Sequence, residues 1–222
     1  MTTTPKRPLQ RLTSSTQRPS ESKGALPLLS FDSDSHVYTY DGVPVMSVTQ
    51  VLKHLFPQKY KGVPKNVLER AKDHGNKIHS MIEEYALTHS EDSRYNLIFE
   101  GINYEMLEKE HNILITSCEQ MLIYFDNGEP LFAGTYDLHG VIDEDIALFD
   151  IKTTSKFDED YLRWQLGLYA LAYRQMYGTE VQRLGAFWYP KDKVGEFREV
   201  YRYNDDYMME EVKKIVEKHH AK

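Results

Sequence analysis

Gly134-Thr-Tyr-Asp137 and, thirteen residues after that aspartate, Asp150-Ile-Lys152-Thr153 lie in two apolar runs separated by Asp143-Glu-Asp145. Residues 147–152 form a short apolar run that reads as a buried strand. Residues 131–142 read as the strand before it, and 143–145 as the connecting turn. Side chains alternate faces along a strand, so Asp150 and Lys152 point the same way while Ile151 points into the core. On an antiparallel pair, Asp137 and Asp150 then come side by side. Hard oxygen ligands of this kind suit Mg²⁺ or Mn²⁺. A lysine two residues from such a ligand can orient a water or stabilise charge developing on a phosphorus centre. An Asp-x-Lys on an exposed strand is usually a surface ion pair of small worth. On a strand covered on both faces, charges without partners are costly, and a metal site becomes the cheaper explanation. The chemistry implied is phosphodiester hydrolysis.

Working outward, residues 64–85 carry Ile78, Met81, Ile82 and Tyr85 at helical spacing, which predicts an amphipathic helix. His79 and Glu83 stand four apart and stack on one of its faces. Gly75, four before His79, leaves room for another backbone to approach that face. A histidine beside an apolar stripe is more often a hydrogen-bonded core residue than a ligand, so His79 needs its neighbours to be read as more. Downstream, residues 161–177 predict a helix closed by Gly178. Gln165, Tyr169 and Tyr173 share a face of it. The tyrosines fit ordinary packing, whereas Gln165 in an otherwise apolar helix points to a polar site nearby.

The ordered set Gly75-x-x-x-His79, Gly134-Thr-x-Asp137, Asp150-x-Lys152-Thr153 and Gln165-x-x-x-Tyr169 resembles the RecB-type branch of the PD-(D/E)XK nuclease superfamily. Met46-Ser-Val-Thr-Gln-Val-Leu52 is similar to the opening of exonucleases of the mitochondrial genome maintenance type and their phage relatives. The resemblance spans residues 36–190. It implies an α/β restriction-endonuclease-like core, a central mixed β-sheet flanked by helices. It further implies a Mg²⁺- or Mn²⁺-dependent deoxyribonuclease acting at single-stranded or frayed ends, in recombination, repair or replication. By position it makes His79, Asp137, Asp150 and the backbone carbonyl of Ile151 metal ligands. Asp137, Asp150 and Lys152 become the catalytic residues, Lys152 activating the attacking water. Gln165 and Tyr169 support the site or the DNA, and Glu119 matches a glutamate often found before the Gly-x-x-Asp strand, although it fits a solvated strand position equally well. Tyr136-Asp137 replaces the Pro-Asp of the superfamily's name, as is frequent in this branch. The other reading within this fold is a catalytically silent subunit that binds DNA or a protein; the joint presence of His79, Asp137, Asp150 and Lys152 opposes it. An ion-pair cluster in an unrelated scaffold is a third.

Composition bounds the rest. The chain has 222 residues, enough for an α/β domain, and 12% aromatic residues including sixteen tyrosines that could stack on unpaired bases. Its one cysteine, Cys118, leaves no internal disulfide and excludes a four-cysteine iron–sulfur cluster. No phosphate-binding Gly-x-x-x-x-Gly-Lys-Ser/Thr loop is present, so no bound nucleotide is expected and a helicase motor would belong to another chain. No apolar run reaches the length of a membrane span and no signal-peptide core opens the chain, so a cytoplasmic setting is expected, the host cytoplasm for a phage-encoded protein. Residues 1–28 hold a single acid, Glu21, among Thr, Ser, Pro and basic residues. They read as a disordered basic arm preceding one nuclease domain over 29–222. Their composition is also close to a mitochondrial transit peptide, but Pro5 and Pro8 oppose the helix such a peptide needs.

The net charge of −7 argues against tight, processive DNA binding, because phosphate contacts supply much of the affinity in DNA binders. Carboxylates at a metal site contribute to that count, and a bound ion inverts the local field. DNA, single-stranded or at duplex ends, is the expected partner, with a recombination or replication protein as a second. Remaining elements are a hairpin over 36–46 around Asp41-Gly42, and a helix opened by a Ser47-Val-Thr-Gln50 capping box. A loop and a helix over 98–111, strands at 113–116 and 119–125, strands at 181–189 and 197–203, and a closing amphipathic helix over 206–218 complete the expectation.

Overall fold

A computed structural model describes residues 28–59, 61–191 and 193–220; the expected basic arm, Leu28 apart, lies outside them. Strands β1 (Leu29–Asp32), β2 (Val37–Tyr40) and β3 (Val43–Val45) make an antiparallel meander. Its second turn is Asp41-Gly42, with φ of 50° and 77°, the doubly positive pair that a two-residue hairpin requires. Helix α1 (Val48–Leu55) opens on the expected capping box. Ser47 N donates to Gln50 Oε1 at 2.7 Å and Gln50 N to Ser47 Oγ at 3.1 Å.

Next come α2 (Lys65–Thr88), α3 (Glu91–Phe99) and α4 (Tyr104–Glu110). This region differs from the expected loop and single helix. The long helix runs three residues past Tyr85 to a left-handed cap at His89, and Ser90 then caps α3 by accepting from Ser93 N at 3.1 Å. Gly101, at φ 73°, separates α3 from α4. A polar cap, Ser90, starts α3, Asn103 precedes α4 without a side-chain cap bond, and no long apolar period announces either helix.

The main sheet follows: β4 (Ile113–Asp126), β5 (Glu129–Ile142), β6 (Asp145–Lys152), then helix α5 (Glu159–Tyr177), β7 (Arg183–Trp188), β8 (Glu196–Val200) and the closing helix α6 (Asp205–His220). The two strands expected at 113–125 are one strand. The break between them is a bulge, with the register shifting between Ile115 and Ser117 and a left-handed Glu119 at φ 46°. Strand order is β4-β5-β6-β7-β8, parallel only between β6 and β7, where α5 makes the crossover. The sheet is therefore mixed, as expected.

Successive residues of β6 enter opposite cores. Leu148 packs with α1, α5 and α6, including Leu166, Leu171 and Val212. Ala147, Phe149 and Ile151 share a core with α2, α4 and β7, including Ile82, Tyr104 and Phe187. Each such large apolar side chain contributes about 1.5–3 kcal/mol on burial. Among the described residues no helix is long and apolar enough to cross a membrane.

Glu108 on α4 is 7% exposed. Burial pushes its carboxyl up to about 7, with Tyr104 pulling the other way. The folded state then holds a proton that the unfolded state has already lost, so stability falls as pH rises from the usual carboxylate range to about 7. Glu108→Gln should stabilise the protein at pH 8 by on the order of 2–3 kcal/mol, and by little at pH 4. Urea denaturation of both proteins at the two pH values measures this; equal gains at both would discount the buried acid.

Candidate active site

Asp150 and Lys152 stand at the C-terminal end of β6, where the sheet changes from antiparallel pairing with β5 to parallel pairing with β7. Open α/β sheets place their sites outside such strand ends. Asp150 is only 1% exposed. Lys152 Nζ donates to its Oδ1 at 2.9 Å and stands 2.7 Å from its Oδ2. A second donation reaches Gln165 Oε1 of α5 at 3.1 Å. The polar residue that interrupts the apolar face of α5 is thus the partner of the lysine. Burial pushes the Asp150 carboxyl up, to about 6, against the opposing pull of Lys152. Lys152 is held above its ordinary range, because Asp150 and Asp137 more than offset the desolvation that pulls it down.

Asp137 comes from β5 beside them. Its Oδ2 accepts from Ile151 N at 2.8 Å and lies 3.6 Å from His79 Nδ1. His79 reaches the site from α2, with Nε2 2.7 Å from the carbonyl oxygen of Ile151 and Nδ1 3.8 Å from Glu83 Oε1. The carbonyl expected to ligate a metal is therefore partnered by the expected histidine ligand, and the hydrogen-bonded reading of His79 is satisfied in this arrangement. Gly75 serves a different neighbour from the one expected: a Cβ there would meet Thr153 Oγ1, a side chain, at 3.2 Å.

Tyr169 packs behind the site. A Cβ on Gly134 would come within 2.6 Å of its ring, so the glycine of Gly134-x-x-Asp137 and the tyrosine of Gln165-x-x-x-Tyr169 fit each other. Glu119 falls between the pairs Cys118↔Leu138 and Gln120↔Tyr136, hence across from Asp137. It is exposed, and its charge raises the carboxyl of Glu83.

Glu83 was left out of the expected ligands although its four-residue offset from His79 was the available signal. It is largely buried, and burial first, then Glu119, pushes its carboxyl up to about 7. Among the described residues no three His, Cys, Asp or Glu side chains are arranged to enclose an ion as they stand. The donor chemistry nevertheless fits a hard divalent cation. One buried carboxylate oxygen, Glu83 Oε1, has no hydrogen bond, Asp150 Oδ2 faces only the Lys152 ammonium at 2.7 Å, and oxygen and imidazole ligands converge from three elements.

A groove of about 490 Å³ opens beside this cluster, between α2 and the start of α5, lined by Lys59, Lys72, His79, Lys152, Thr153 and Tyr161 among others. A buried acid–lysine pair thus stands on a strand end beside a groove. The chain belongs to the PD-(D/E)XK nuclease superfamily, whose profile matches residues 49–222. Nucleases of this superfamily act on nucleic acid and generally depend on a divalent metal. Two solved structures are similar over 78% of this chain. One is SSO0001, at 14% identity, TM-score 0.44 and 74% of its own chain covered. The other is a "Putative exonuclease" from Eubacterium rectale, at 15% identity, TM-score 0.40 and 77% covered. No curated protein matches the chain.

Proposed function

We propose that the chain is a Mg²⁺- or Mn²⁺-dependent DNA exonuclease of the RecB-like type, hydrolysing phosphodiester bonds at single-stranded or frayed ends. The observation that carries this reading is the buried Asp150–Lys152 pair, flanked by Asp137 and His79 at the mouth of a groove. A buried ion pair is weak evidence for stability, so a functional reason for it is favoured. His79, Asp137 and Asp150, with Glu83 and the Ile151 carbonyl, are the residues that would hold the ion. Bound there, it would supply Lewis-acid charge to the scissile phosphate.

Lys152 keeps its proton in this setting. Two of its three N–H groups are directed to Asp150 and Gln165, leaving one for a water or a phosphate oxygen. Its role is thus to orient the nucleophile and to offset developing negative charge, rather than to remove the water's proton. Gln165 fixes the ammonium, Tyr169 backs the site, and Glu119 stands at its rim. Replication or recombination proteins are the fitting partners for such an activity.

The test is a gel of 5′- and 3′-end-labelled single- and double-stranded DNA with Mg²⁺ or Mn²⁺. Stepwise loss from an end supports the reading, internal cuts make the enzyme an endonuclease, and no cleavage in either metal favours a binding subunit. His79→Ala should weaken Mn²⁺ binding about 10- to 100-fold in calorimetric titration, the scale of losing one partner of a metal site. A loss of thermal stability with unchanged Mn²⁺ affinity would make His79 a purely structural hydrogen-bonding residue.

A further inference from the structure

The chain is acidic overall, yet its cations are unevenly placed. Residues 59–77 hold six lysines or arginines against two carboxylates, in a protein of net charge −7. Most of these fall on α2, which carries the groove wall. Lys65, Lys72 and His79 recur at seven-residue spacing, so they lie along one stripe of the helix. At 1.5 Å per residue that stripe runs about 21 Å from the helix start to the site. Lys72, Leu68, Gly75 and Asn76 line the groove, whereas Glu69 and Asp73, the acids of this half of α2, do not. The one carboxylate that does, Asp158, is already paired with Lys59. Lys61, Lys65 and Lys72 are exposed.

We infer that Lys61, Lys65 and Lys72 form a phosphate track that delivers a single nucleic-acid strand along α2 to the Asp150–Lys152 site. The groove is one-sided in charge, with Lys72 and Lys152 on its walls and its one carboxylate paired. It accommodates one flexible backbone, with Leu68 offering apolar surface to unpaired bases. The track also answers the objection from net charge. Affinity depends on the local field along the strand's path, and counterion release from a few phosphates is sufficient for modest binding. The inference rests on the nuclease reading for what happens at the end of the track, but not for the binding itself.

The probe is a fluorescein-labelled oligo-dT single strand, with anisotropy read in EDTA over a salt series. Glutamine matches lysine in helix propensity, so Lys61→Gln/Lys65→Gln/Lys72→Gln should fold as the wild type does, which circular dichroism verifies. Its affinity should fall at least tenfold at low salt, and the log–log salt slope should drop by about two, near 0.7 for each lost phosphate contact. Lys214→Gln/Lys218→Gln, equally exposed on α6, should bind within twofold of wild type. Equal affinity of the triple variant and wild type overturns the track, as does an equal loss in the α6 control or no measurable binding by wild type. Strand binding that depends on the three lysines, without cleavage in Mn²⁺, would sustain the track while overturning the nuclease reading.

Discussion

Lys152→Ala is expected to lower strand cleavage by about 100- to 10,000-fold, the range for removing a group that positions or stabilises charge in the transition state. The same substitution should also cost stability, because Lys152 is the charge partner of a carboxylate that is 1% exposed. Breaking a buried pair by deleting one member typically costs about 3–5 kcal/mol, since an uncompensated charge remains. Protonating Asp150 relieves that penalty, so the loss should be large at pH 8 and shrink towards pH 5. Asp150→Asn separates the two effects. It removes the buried charge, leaves Lys152 the partner Gln165 and some access to water, and should abolish cleavage with a smaller change in stability. Single-turnover cleavage and urea melts of both variants measure this. Cleavage by Lys152→Ala at the wild-type rate would remove Lys152 from the chemistry. A stability loss independent of pH would mean that Asp150 is not the group left exposed by the substitution.

What the sequence revealed of this site, and what it hid, follows from the range over which each signal acts. Alternation along residues 147–152 is a local property, and it placed Asp150 and Lys152 on one face and Ile151 on the other, as the two cores require. Gln165 stood out because a polar residue in an apolar helix needs a partner, although nothing local said that the partner was Lys152. Asp41-Gly42 was legible because a two-residue hairpin demands positive φ. Helices α3 and α4 were not, because Ser90 starts α3 and Gly101 separates it from α4 without an apolar period to mark their lengths. Glu83 was visible only as an offset from His79. Its inclusion depends on Glu119 arriving from β4 and on burial under the sheet, both products of tertiary packing. The hydrogen bond between His79 and the Ile151 carbonyl joins residues 72 apart, and no local pattern carries such a contact.

The single glycine substitution with the greatest expected cost to the fold lies outside every motif. Gly140 sits in β5, paired with Ile115 on one side and Ala147 on the other. The extra residue of the β4 bulge follows directly after Ile115, and there the backbone of β4 closes over Gly140. A Cβ at this position would overlap the carbonyl oxygen of Leu114 and lie 2.9 Å from Ile115 Cα. Neither obstacle is a side chain that can rotate away, so Gly140→Ala must lift the start of β4 from the sheet. Lifting it exposes Ile113 and Ile115, now 8% and 6% exposed, and breaks the pairs from Ile113↔Ile142 to Ile115↔Gly140. Overpacking alone costs about 1–3 kcal/mol, and the lost burial adds to it, so a drop of about 4 kcal/mol or more is expected. Gly134→Ala offers the contrast: its obstacles are side chains, the Tyr169 ring and Val48, so a smaller loss is expected, with the Tyr169 side of the site displaced. Denaturant midpoints of the two variants rank these effects. A Gly140→Ala protein within about 1 kcal/mol of wild type would mean that β4 does not close over β5 at the bulge. Glu119 would then lose its reason to stand across from Asp137, because the same bulged strand carries it there.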